Sequence, residues 1–220
     1  GTLTEGVVKV QSTVDLEGQP SDQVKTFAYL NAFFETGFTN PLDEAIRTLP
    51  DVNIDGYEKV DEVPYDFIRK RLSIAVAFQN KHFLITKGAV KNIVDVCDSV
   101  AIARGERVPL KQVEEKINNT LQQYSAQGFR TIGLSYKDIT GDPVINKDDE
   151  SGMIFLGFII LSDSLKAGIN DTIKELRDSG ITFKLITGDN QLVAAYVCGQ
   201  IGLNPDILTG SDLRKMSDDA

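Results

Sequence analysis

Met153 to Leu161 is an unbroken apolar run, and it limits what a chain of this kind can fold into. It is far shorter than the roughly 18 apolar residues of a membrane-spanning helix. It therefore reads as a strand, and a strand apolar at every position must be covered on both faces. Residues 166 to 178 follow as an amphipathic helix ended by Gly180; Ile181 to Ile186 reads as a second buried strand, and another helix starts at Asn190. This βαβα order predicts a parallel sheet, which takes its ligand beyond the carboxyl ends of its strands. Thr187-Gly188-Asp189 stands at such an end.

Upstream of the acidic loop Asn146 to Ser151 the pattern is different. A short strand is expected around Val7 to Val10, then a polar connector over residues 11 to 22, a helix from about Asp22 to Phe34, and a second helix from Pro41, which suits a first helical position. Ser73 to Thr86 alternates around Gln79-Asn80-Lys81 as a hairpin. Val90, Ile93, Val94 and Cys97 follow helical spacing, as do Val113, Ile117, Leu121 and Tyr124. Strands, hairpin and helices mixed in this way predict an α+β domain up to about residue 160.

A formal charge of −9 argues against a nucleic-acid partner or an anionic membrane surface, both of which favour a basic face. An anionic ligand would need local cations, and Arg69-Lys70-Arg71, Lys87 and Arg130 are the candidates. Cys97 and Cys198 are isolated, without metal-ligand spacing, and read as reduced thiols. His82 is the single histidine and reads as a solvated strand residue.

Several short motifs carry possible chemistry. In an extended Pro64-Tyr65-Asp66-Phe67 segment, Tyr65 and Phe67 project from one face; they are either a stacking platform for a flat base or a pair in a sheet core. Lys87-Gly88-Ala89 follows a strand and precedes a helix: Gly88 leaves room for a ligand and Lys87 offers a compact charge. Arg130 in Gly128-Phe129-Arg130 has a guanidinium suited to phosphate oxygens, or to a surface ion pair. Thr187-Gly188-Asp189-Asn190 between strand and helix is either an oxyanion site or a plain capped turn.

These motifs occur in a recognisable order. GTLTEG (1 to 6), NPLDEA (40 to 45), PYDFIRKRLS (64 to 73), KGA (87 to 89), GFR (128 to 130), SDS (162 to 164) and TGDN (187 to 190) together resemble the P-type ATPases, cation pumps that form an aspartyl phosphate. The longer segments AYLNAFFETGFTNPLDEAI (28 to 46), LITKGAVKNIVDVC (84 to 97), GDNQLVAAYVCGQIGL (188 to 203) and GSDLRKMSDDA (210 to 220) are most similar to the magnesium-importing group of bacteria.

The resemblance implies an α+β nucleotide-binding domain with an antiparallel sheet, residues 10 to 161, inserted into a partial haloacid-dehalogenase-like parallel α/β phosphorylation domain, residues 1 to 9 and 162 to 220. It implies ATP and Mg2+ as ligands. Asp43, Tyr65, Phe67, Lys70, Lys87, Gly88 and Arg130 would hold the nucleotide, with Tyr65 where the family stacks adenine on a phenylalanine. Thr2, Thr187, Gly188 and Asp189 would belong to the phosphoryl-transfer centre. Asp163 would mark a hinge in which Ser164-Leu165 replace the family's two prolines. The phosphorylated aspartate would precede Gly1 and further Mg2+-binding carboxylates would follow Ala220, so the chain by itself is expected to bind nucleotide without forming the acyl phosphate. The parent would be an inner-membrane pump for a cation, Mg2+ by resemblance, with this part on the cytoplasmic side beside separate actuator and membrane domains. A soluble haloacid-dehalogenase-type phosphohydrolase, a pump for another cation, and a binding module with no pump around it are the alternatives.

Overall fold

In a computed structural model, the structure describes residues 2–37, 40–102, 105–141, 143–204 and 206–216. Gly1, Phe38, Thr39 and residues 217–220, parts of the motifs quoted above, lie outside them. The apolar run becomes the first part of strand β8 (Met153–Leu165), and every residue from 153 to 161 is buried. One edge of β8 pairs antiparallel with β7 (Arg130–Ile139). The other edge pairs in parallel with β5 (Cys97–Ala101) near its start and antiparallel with β1 (Thr4–Val14) along its second half.

Beyond β7 the sheet continues through β4 (Lys81–Ala89) and β3 (Arg71–Phe78) to β2 (Glu58–Asp66), and beyond β5 it ends with β6 (Arg107–Pro109). The run is thus apolar because the sheet is covered on both faces, as expected, but its long pairings are antiparallel. Helices α1 (Asp22–Phe34) and α2 (Pro41–Arg47) cover one face through Val24, Phe27, Leu30 and Ile46, packed on Leu72, Ile85, Leu134 and Leu161. Helices α3 (Val90–Val94) and α4 (Glu114–Ala126) cover the other through Ile93 and Ile117, against Phe155 and Phe158. The two faces together form a mixed α/β fold.

Local chemistry accounts for the element ends. Ser21 and Asn40 cap α1 and α2 with side-chain oxygens, and Pro41 takes the first position of α2. Gln79 and Asn80 both have positive φ, 47° and 61°, as the tight turn between β3 and β4 demands. Helix α3 stops at Val94, short of the Cys97 that helical spacing had included, because Cys97 pairs with Met153 as a strand residue. Both cysteines are free, and burial pushes the Cys97 thiol up to about 12.

The C-terminal part corrects the sequence reading. Helices α5 (Ile169–Asp178) and α6 (Gln191–Gln200) form, and a short α7 spans Gly210–Leu213. Ile181 to Ile186, expected as a buried strand of a parallel sheet, pairs with no strand among the described residues. A strand needs a neighbour to take its backbone hydrogen bonds, and here the segment is only partly covered, on one side. Phe183 and Leu185 pack toward a small core of Leu3, Ile173 and Ile201, whereas Ile186 is 97% exposed. That small core is separate from the cores of the large sheet. Among the described residues no helix is long and apolar enough to cross a membrane.

Candidate functional site

The pairing register collects most of the candidate residues at one end of the sheet. Arg71 faces Gly88 on β4, and Gly88 faces Gly133 on β7. The end of β2 with Tyr65, the β2–β3 turn with Phe67 and Lys70, the end of β4 with Lys87 and the start of β7 with Arg130 therefore share that end.

The turn at residues 66–70 is tightly built. The Asp66 carboxylate accepts from the amides of Ile68 and Arg69 at 2.8 and 2.7 Å, and the Arg69 amide above all holds its carboxyl below the usual carboxylate range. Lys70 is left-handed (φ 51°), and its carbonyl accepts from the Ala89 amide at 3.1 Å. The turn sits directly on Gly88: a Cβ there would lie 2.4 Å from the Lys70 carbonyl oxygen, so glycine is required. Tyr65 and Phe67 are 50% and 86% exposed and meet edge to face at 5.4 Å, which removes the sheet-core alternative. Of the basic run, Arg69 and Arg71 are spent on the buried carboxylate of Glu150, while Lys70 stays exposed.

Lys87 lies nearly buried beneath this tip. Its Nζ is 2.5 Å from Asp43 Oδ1 and 3.2 Å from Glu35 Oε2, and Arg47 approaches Glu35 at 3.6 Å. Asn40, the cap of α2, also bonds Asp43. Burial raises the Glu35 carboxyl above its ordinary value; Lys87 pulls it back and the nearby Asp43 pushes it up again. Glu35 escaped the sequence reading because its partner stands far along the chain and no local pattern marks it.

Arg130 opens a second cluster. Its Nε lies 2.8 Å from Asp189 Oδ1 and its Nη2 donates to Oδ2 at 2.9 Å, a two-pronged ion pair. Thr187 Oγ1 donates to Asp189 Oδ2 at 3.2 Å and accepts from the Asp189 amide, so this loop folds on itself. Asn190 caps α6 and also donates to Ser125 Oγ at 2.8 Å. Tyr196 of α6 packs against Gly128, where a Cβ would come within 2.2 Å of the ring, so both ends of the GFR motif have a structural reason. A cleft of about 440 Å3 is lined by Arg130, Thr187, Gly188, Asp189, Asp163, Gly6, Pro41 and Leu42. Asp163 accepts from the Gly6 amide at 3.1 Å. Thr2 is exposed and does not line the cleft. Among the described residues no group of three His, Cys, Asp or Glu side chains could hold a metal by itself.

The sequence model for P-type ATPase, cytoplasmic domain N, matches residues 22–168. The chain belongs to the P-type ATPase family. Over its whole length it is 37% identical to "Magnesium-transporting ATPase, P-type 1" of Salmonella typhimurium (strain 14028s / SGSC 2262) and 36% identical to the protein of the same description in Escherichia coli (strain K12), spanning 25% of each. A "Probable calcium-transporting ATPase 9, plasma membrane-type" of Oryza sativa subsp. japonica is 27% identical over 66% of the chain, which covers 14% of that protein. This P-type ATPase chain thus spans about a quarter of the length of its magnesium-transporting relatives. The family match covers Asp43, Tyr65, Phe67, Lys70, Lys87, Gly88 and Arg130, whereas the Thr187 loop lies beyond it.

Proposed function

We propose that this chain holds ATP for a Mg2+-transporting P-type ATPase, with the base on the Tyr65 side of the sheet end and the phosphates toward the Arg130 cleft. The observation that carries this reading is the convergence of two exposed aromatics, Lys70 and Lys87 at one sheet end within the matched domain. Stacking needs a flat exposed ring, and Tyr65 offers one with a hydroxyl besides. Lys87, with Asp43 and Glu35 behind it, would give the base or ribose a fixed polar floor. Arg130 would meet the phosphates once they compete with Asp189 for its guanidinium.

Residues 1–9 and 162–220 would form part of a haloacid-dehalogenase-like phosphorylation domain. Their own small core, Leu3 with Ile173 and Ile201, supports that division. The boundaries fall within β1 and β8, which pair with one another, so the two strands would form the connection and Asp163 its fixed point. Thr187 and Asp189 would then face the transferring phosphoryl group. Mg2+ would arrive with the nucleotide, whose phosphate oxygens supply ligands that no cluster of three His, Cys, Asp or Glu side chains provides among the described residues. When bound, it would neutralise developing phosphate charge. In the whole protein the reaction would be ATP hydrolysis through an aspartyl phosphate, coupled to Mg2+ movement. Higher identity over the whole chain to magnesium-transporting relatives, against 27% over 66% of it for the calcium-transporting one, supports magnesium as the cation.

Titration of the chain with ATP, followed by calorimetry, tests the base site. Tyr65→Ala should weaken binding by about 1 to 3 kcal/mol, roughly 5- to 150-fold, through lost stacking. Equal affinity in Tyr65→Ala and the unaltered chain would remove Tyr65 from the base site.

A further inference from the structure

Glu150 ends the 3-10 turn Lys147–Asp149, just before β8, and its side chain is fully buried. A buried carboxylate is tolerated only when its oxygens are hydrogen-bonded. Among the described residues its side-chain donors all come from the distant β2–β3 hairpin. Arg69 Nη1 approaches Oε1 and Oε2 at 2.6 and 2.5 Å, Arg71 Nε donates to Oε2 at 2.7 Å, and Ser73 Oγ donates to Oε1 at 2.7 Å. Two guanidinium groups for one carboxylate exceed what charge balance requires, so the arrangement is better explained by what those arginines hold next.

Arg69 Nη2 donates to the Pro64 carbonyl at 2.9 Å, one residue before Tyr65, and Arg71 Nη1 donates to the Asn92 carbonyl at 3.3 Å. On the other side of Tyr65 the Asp66 carboxylate fixes the turn. Tyr65 therefore has its backbone pinned at both flanks while its ring stays half exposed. The base of the clamp is itself anchored. Asn146 and Asp149 form a capping box, Lys137 Nζ reaches the carbonyls of Asp149 and Ser151, and the Ile145 amide donates to Asp61 of β2 at 2.8 Å.

We propose that Glu150 is a positioning residue for nucleotide binding, which acts through Arg69 and the Pro64 carbonyl to hold Tyr65 ready for the base without touching the ligand. The proposal rests on the base site assigned above. Preorganisation of this kind lowers the ordering cost of binding.

The test is a double-mutant cycle on the 220-residue chain, with ATP affinity measured by calorimetry and the folded fraction by thermal melting. Glu150→Gln keeps the shape, loses the charge and turns an amide toward Arg69; it should weaken ATP binding by about 5-fold or more. In a Tyr65→Ala background the same change should cost less than about 2-fold, because the ring it positions is gone. Arg69→Lys leaves Glu150 a cation and so protects the fold, but it loses the fork to Pro64; it should reproduce the weakening and its dependence on Tyr65, and it decides the question if Glu150→Gln does not fold. Unchanged affinity in folded Glu150→Gln or Arg69→Lys, or equal weakening with and without Tyr65, would overturn the proposal. Should Tyr65→Ala alone leave affinity unchanged, the base site itself would be wrong and this role would fall with it.

Discussion

Tyr65, Lys70 and Lys87 stand on or between paired strands whose ends are fastened by buried ion pairs. Thr187, Gly188 and Asp189 instead end a stretch that no strand pairs among the described residues. The first group is held from below, by Glu150 under the turn and by Asp43 and Glu35 around Lys87. The second is held by Arg130, through its ion pair with Asp189, and at the next residue by the Asn190 bond to Ser125. A base site and a phosphate site make different demands. A stacking platform gains from fixed geometry, whereas groups that meet a transferring phosphate must be able to exchange partners. In the proposed function the two-pronged Arg130–Asp189 pair would be such an exchangeable contact, since an incoming phosphate or Mg2+ would compete for its members.

The contrast breaks first at Lys87. Replacing it by Met leaves buried Asp43 without its cation and Glu35 with only the longer contact to Arg47, and should destabilise the chain by about 3 to 5 kcal/mol near neutral pH. Glu35 is already raised above 4.5 in the fold, so its protonated form favours folding, and its contribution is present below 4.5 and lost as pH rises through the raised value. Without Lys87 the carboxyl rises further, so the Lys87→Met penalty should grow with pH above 4.5 and shrink in acid. Denaturant melts at several pH values measure this; a penalty independent of pH would contradict the buried cluster.

Asp189→Asn tests the other side of the cleft. It weakens a partly exposed ion pair worth about 0.2 to 1 kcal/mol and frees Arg130, so ATP affinity of the chain should rise by up to about 5-fold, most at low salt. A fall in affinity would mean that Asp189 helps to hold the nucleotide instead of competing with it. The smallest effect is expected at Ile186, where Ile186→Ser should change stability by less than about 0.5 kcal/mol because the side chain touches little. A larger loss in thermal melting would show that the segment from Ile181 is covered after all.

Much of the first region was legible in the sequence. Alternation gave the β3–β4 hairpin, Pro41 marked the start of α2, and the motifs around Tyr65 and Lys87 do meet at one sheet end, whereas Arg130 opens the separate cleft with Asp189. The run from Met153 signalled two covered faces but not strand direction, since burial on both sides looks alike in parallel and antiparallel sheets. Ile181 to Ile186 has the apolar character of a strand, yet pairing depends on neighbours that its own residues do not specify. Glu35 and Glu150 were missed for a related reason. Each is an ordinary acidic residue in sequence, made exceptional by burial against cations about 50 and 80 positions away.

In the proposed function the sheet end at Tyr65 and Lys87 receives the base while the Arg130 cleft receives the phosphates. Backbone amide NMR of the isotope-labelled chain tests it directly, with adenosine and ATP titrated separately. Adenosine should shift the amides around Tyr65, Lys70 and Gly88 and leave those of Thr187 to Asn190 in place, and ATP should shift both groups. Adenosine shifts confined to the Thr187 loop, or ATP shifts that spare Tyr65 and Gly88, would overturn this division between base and phosphate sites.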